Sequence, residues 1–119
     1  MATLNTSIKL KSSNAGSDKL DLTASNVVAI NEPFINTART SVLHTADLEI
    51  FDNTHTAVQF VYLKNTDPTN SIRLKTAAAV EFGELGPGES CLIPIKDLTG
   101  LSVRALVAAC ILEYGFWSK

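Results

Sequence analysis

Hydrophobic and polar residues alternate along most of this chain with a period of two, the pattern of strands that bury one face. Leu4, Thr6, Ile8 and Leu10 alternate with Asn5, Ser7 and Lys9. The polar cluster from Ser12 to Asp18 predicts a turn, after which Leu20 and Leu22 flank Asp21 in a second short strand. Val27 to Ile30 is another apolar piece, closed by Asn31-Glu32-Pro33. Thr40 to Thr45 is rich in β-branched residues, and Leu48 to Phe51 runs up to Asp52-Asn53. The clearest strand is Ala57 to Asn65, where Val58, Phe60 and Tyr62 point one way and Gln59, Val61 and Leu63 the other. Apolar residues on both faces predict a central strand covered on both sides, or an oligomer contact.

Beyond it, Asn65-Thr66-Asp67-Pro68-Thr69-Asn70 is a turn, because Asp and Asn bond nearby backbone and Pro fixes φ. Ser71 to Thr76 resumes the alternation through Ile72 and Leu74, and Val80 and Phe82 continue it; Ala77-Ala78-Ala79 fits one helical turn as well. Gly86-Pro87-Gly88 is a connection that no helix crosses. Cys91, Ile93 and Ile95 alternate with Leu92 and Pro94. Pro94 has no N–H for a ladder, which predicts an edge strand or a bulge. The C-terminal stretch has two readings. Asp97 is placed to cap a helix through Leu98, Leu101, Ala105 and Leu112, whereas Gly100, Val103, Val107 and the aromatic ending favour two strands joined near Leu106 to Ala109; the strands are preferred. The expected fold is therefore all-β, an antiparallel, jelly-roll-like β-sandwich. Residues 1–18 are read as a strand or extended N-terminal arm that reaches a partner, and 19–119 as the sandwich domain.

Composition narrows the function more than the fold. With 119 residues, 45% apolar and 18% charged, the chain can build a core without disulfides or metals. A formal net charge of −2 gives no field to recruit nucleic acid or an anionic membrane. No apolar run approaches the roughly eighteen residues of a membrane-spanning helix. The first fourteen residues have no apolar signal region, so the expectation is a chain made in a cytoplasm. Cys91 and Cys110 are then read as free core thiols, with a disulfide across neighbouring strands as the lesser alternative.

The residues that carry chemistry do not group in the sequence. His44 lies in a Thr-rich strand and His55 in a turn, both far from either cysteine, and no nucleophile elbow occurs. Catalytic residues, a cofactor site and a zinc site are not expected. Asp47, Glu49 and Asp52 lie close enough to suggest calcium, but without a loop motif a solvated strand face explains them better. Gly83 to Gly88 has no Lys and no following helix signal, and Glu84 and Glu89 would repel phosphate, so it is a turn and not a phosphate cradle. Trp117 has the opposite parity to Tyr114 and Phe116. It either anchors the last strand or is an exposed contact, since indoles concentrate binding energy at interfaces. Leu4, Ile8, Tyr62 and Trp117 are the candidate interaction residues.

One run of motifs is familiar. Val61-Tyr62-Leu63-Lys64-Asn65-Thr66, Ile72-Arg73-Leu74, Leu85-Gly86-Pro87-Gly88-Glu89, Leu92-Ile93-Pro94-Ile95, Leu101-Ser102-Val103-Arg104-Ala105 and Leu112-Glu113-Tyr114 follow one another over about the last half of the chain. This resembles small β-sandwich virion proteins of tailed phages, in which a proline-glycine-glutamate turn precedes a strand and the last strand ends in a Glu-Tyr pair. The resemblance implies a capsid decoration or cement protein, or a neck or tail subunit, located in the virion. It also implies a homo-oligomer, a trimer or ring, bound to proteins such as the major capsid protein. The alternative weighed against it is a small carbohydrate-binding sandwich presenting Trp117 or Tyr62.

Overall fold

The computed structural model describes residues 2–13, 16, 20–31, 33–51, 58–95 and 100–118. Contacts divide the chain into two units, Met1–Asn31 and Glu32–Lys119. The first is a two-stranded antiparallel ribbon of β1 (Ala2–Ser12) and β2 (Leu20–Ile30). Its ladder runs from Ala2 opposite Ile30 to Ser12 opposite Leu20. The boundary expected at residue 18 therefore separates two strands that pair with each other. Leu20–Ile30 is bonded to the N-terminal strand along its whole length, and the break in contacts falls at Asn31.

Among the described residues the second unit has eight strands: β3 (Pro33–Val42), β4 (Leu48–Phe51), β5 (Val58–Asn65), β6 (Ile72–Thr76), β7 (Glu81–Leu85), β8 (Ser90–Pro94), β9 (Leu101–Ala105) and β10 (Cys110–Ser118). They form two four-stranded sheets in the orders β3-β10-β5-β8 and β4-β9-β6-β7. The first of the eight pairs with the last, the second with the seventh, the third with the sixth and the fourth with the fifth. Two further ladders, β10 with β5 and β9 with β6, complete the sheets. That nesting is the jelly roll, and all of its ladders are antiparallel. The all-β sandwich expected from the alternation is the observed fold.

The sheets meet over a core of Val42, Val61, Leu63, Leu112 and Phe116 from one and Phe51, Ile72, Leu74, Leu101 and Val103 from the other. Phe51 and Phe116 cross the interface with ring centroids 5.6 Å apart, a tilted pairing that adds about 1 kcal/mol beyond area burial. β5 lies between β10 and β8 as expected of a strand apolar on both faces, with Val61 and Leu63 inward and Phe60 and Tyr62 half-buried outside. β8, with Pro94, is an edge. The C-terminal stretch is two strands, and Ala77–Ala79 belongs to a β-turn, not a helical one: Ala79 donates its N–H to the Thr76 carbonyl at φ 61°. In the β7–β8 turn Pro87 is followed by Gly88 at φ 75°, and Glu89 N–H reaches the Gly86 carbonyl at 3.1 Å, the type II arrangement that needs glycine third.

Candidate interaction surface

The ribbon converts period-two alternation into two unlike faces. Its register places Leu4 opposite Val28, Thr6 opposite Asn26, Ile8 opposite Ala24, Leu10 opposite Leu22 and Ser12 opposite Leu20. Because cross-strand partners share a face, these ten residues form one uncharged and largely aliphatic surface. Asn5, Ser7, Lys9 and Lys11, with their partners Val27, Ser25, Thr23 and Asp21, form the opposite one. Ile8 is 53% exposed, Leu10 50%, Leu20 37% and Leu22 55%. The structure thus brings the expected Leu4 and Ile8 together and adds Leu10, Leu20, Leu22 and Val28. The parity of Leu20 and Leu22 marked them as one face of a strand; nothing local marked β1 as that strand's partner.

The other two candidates lie on the outer face of the β3-β10-β5-β8 sheet. Tyr62 is half-buried and its hydroxyl donates to Glu113 Oε1 at 3.3 Å, while Arg39 pairs with Glu113 Oε2 at 3.2 Å. Burial first, and then the Glu113 charge, raise the Tyr62 pKa. Trp117 is only 8% exposed, and its indole N–H donates to Asn36 Oδ1 at 2.9 Å. Of the two roles considered for Trp117, the exposed contact is overturned: its polar handle is committed and its ring is covered, so it anchors β10 against β3. Among the aromatic candidates this leaves no open stacking platform.

The outer face of the other sheet is charged and internally compensated. Arg73 and Arg104 stand directly opposite, an unfavourable pairing by itself. Glu81 meets Arg73 at 3.0 Å, and Asp47 meets Lys75 at 3.0 Å and Arg104 at 3.5 Å. With His44, the side chains of Arg73, Lys75, Glu81 and Arg104 rim a shallow depression of about 260 Å³. Asp47 is thus held by two cations; Glu49 is exposed on β4; Asp52, His55 and Asp97 lie outside the described residues. No group of three or more His, Cys, Asp or Glu residues placed to hold a metal occurs among the described residues.

Both cysteines are free, Cys91 half-buried and Cys110 buried with its sulfur 3.5 Å from the Ala108 carbonyl. Burial raises both thiol pKa values, with the Asp67 charge adding to the effect at Cys110. Raised pKa and poor access both suppress thiolate chemistry. At pH 7.5 a disulfide reagent is expected to label native protein slowly, Cys91 before Cys110, and both at once in denaturant; fast labelling of Cys110 in native protein would contradict the packing. Asp67 shifts the other way, below the usual carboxylate range, because its carboxylate accepts the backbone N–H groups of Thr69 and Asn70 at 2.8 and 2.7 Å.

No protein-family model matches this sequence and no curated protein is similar to it. Among solved structures, a chain from the disulfide-linked pili of Bacillus endospore appendages is similar over 76% of this chain and 93% of its own, with a TM-score of 0.44 and 14% identity.

Proposed function

We propose that this protein is a structural assembly subunit that works through protein–protein contacts as a homo-oligomer. The setting is the one the sequence resemblance implies, a tailed-phage particle with the protein as a decoration, neck or tail component. The observation that carries the reading is the ribbon: four large aliphatic side chains, each more than a third exposed, share one uncharged face. A two-stranded hairpin by itself is marginal in water, and a contiguous apolar surface on a folded protein marks a contact. A jelly roll supplies a rigid body for such a contact, though a fold alone does not assign a function.

The test is the solution mass by light scattering over a concentration series, with co-sedimentation on phage particles beside it. The expected result is a trimer or ring, or retention on particles. A strict monomer that sediments with no particle overturns the proposal. A glycan array is the matching test of the carbohydrate alternative: a ligand whose binding falls with Tyr62→Ala replaces the assembly reading.

A further inference from the structure

The ribbon's apolar face identifies its own occupant more closely than "a partner". We propose that it is covered by the same face of a second copy, the two ribbons packing face to face about a two-fold axis centred on Ile8; this rests on the assembly reading above.

Three observations point to a second copy. First, the face carries no charge from Leu4 to Ser12 or from Leu20 to Val28 at the positions that share it, while Lys9, Lys11 and Asp21 all sit on the other side. A copy of itself therefore meets no like charge and buries none, and the polar faces stay in water on both outsides. Secondly, two of the three polar side chains within the face, Thr6 and Asn26, already make hydrogen bonds inside the ribbon. The Thr6 hydroxyl donates to the Asn26 carbonyl at 3.4 Å, and Asn26 Oδ1 accepts the Val27 N–H at 2.9 Å. The Thr6 hydroxyl and Asn26 Oδ1 keep these bonds when the face is covered. Thirdly, the rows of the face differ in bulk. Turned about Ile8–Ala24, the large Leu10–Leu22 row of one copy lies over the smaller Thr6–Asn26 row of the other, and Ser12–Leu20 lies over Leu4–Val28. Such an isologous contact is self-complementary and closed.

Area sets the strength. Four half-exposed aliphatic side chains amount to a few hundred Å² per copy, below the about 800 Å² per partner of a standard stable interface. The pair is therefore reversible alone and becomes firm where many copies are held close together, which raises the effective concentration.

The experiment uses the full chain with Ile8→Cys, compared with Lys9→Cys on the polar face and with the parent, whose own cysteines, one half-buried and one buried, set the background rate. Under mild oxidation Ile8→Cys is expected to give disulfide-linked dimer about tenfold faster than Lys9→Cys or more, since pairing raises the effective thiol concentration. Adding Leu22→Glu is expected to abolish the difference while Trp117 emission, a reporter within the jelly roll, stays unchanged. Equal rates for Ile8→Cys and Lys9→Cys overturn the proposal. So does an Ile8→Cys thiol that neither couples nor reacts with a maleimide at any protein concentration, because the face is then covered within its own chain. If cross-linking fails while the parent is a multimer, the ribbon proposal falls and the assembly reading stands; if it fails and the parent is a strict monomer that binds no particle, both fall.

Discussion

Replacing Gly115 with alanine is expected to lower stability by about 3 kcal/mol or more, at the high end for one added carbon in a packed region. A Cβ at this position would stand 2.5 Å from the Asn36 carbonyl oxygen, 3.0 Å from that of Ile35 and 3.0 Å from Trp117 Cη2. The neighbours are backbone and an anchored ring, so none can yield cheaply. The cause is a bulge: Tyr114 pairs with Ala38 and Phe116 with Ile35, so β3 spends two residues, Asn36 and Thr37, against the one on β10. The extra residue presses the Asn36 carbonyl toward Gly115 and aims its side chain at the Trp117 indole. Relief of the clash would have to part β3 from β10 or expel the indole, and either loses the Trp117–Asn36 bond. Urea unfolding followed by the fluorescence of the single tryptophan reads both effects. The variant should show a lower midpoint and a red-shifted native emission. A midpoint within experimental error of the parent's would mean that β3 can slide away freely.

Much of the sandwich was legible in the sequence, and the reason is that alternation reports which residues share a face. It made β5 central from Val61 and Tyr62, put β8 at an edge from Pro94, and split the last segment into two strands around Val107. Alternation carries no information on which strands pair. Leu20 and Leu22 looked like the start of the sandwich, and only the ladder to Leu10 and Ser12 joins them to the N-terminal strand. Trp117 failed for a related reason. Its parity correctly points it outward, yet it is covered because Gly115 leaves room for the ring and Asn36, 81 positions away, takes its N–H. Outward-facing and exposed are different properties wherever a neighbour lacks a side chain.

Asn65 shows what a turn residue can hide, and its substitution by aspartate is the second large effect expected. In sequence it reads as the first residue of a polar turn. In the structure it is fully buried, and its Nδ2 donates at 2.7, 3.1 and 3.1 Å to the carbonyls of Asn70, Leu85 and Gly86, while Oδ1 accepts the Asp67 N–H at 3.0 Å. One amide thereby ties the β5–β6 turn to the β7–β8 turn, and its backbone N–H adds a bond to the Glu89 carbonyl at 2.9 Å. Asn65→Ala leaves the carbonyls and the Asp67 N–H without these bonds, a loss of about 3 kcal/mol. Asn65→Asp keeps the acceptor but sets a buried negative charge against three carbonyl oxygens, and should cost more than alanine at pH 7. The sign of its pH dependence follows. Burial and the carbonyls push the folded-state pKa of the new carboxyl above its unfolded value, so the ionised form is the destabilised one. The deficit relative to the parent is full above the folded pKa and shrinks as pH falls toward the unfolded one, where the protonated acid regains one donor. Unfolding free energies of parent, Asn65→Ala and Asn65→Asp at pH 7 and pH 4.5 test this: the aspartate deficit should narrow in acid and the alanine deficit should not. An aspartate deficit that does not narrow in acid would mean that water enters the site and solvates the charge.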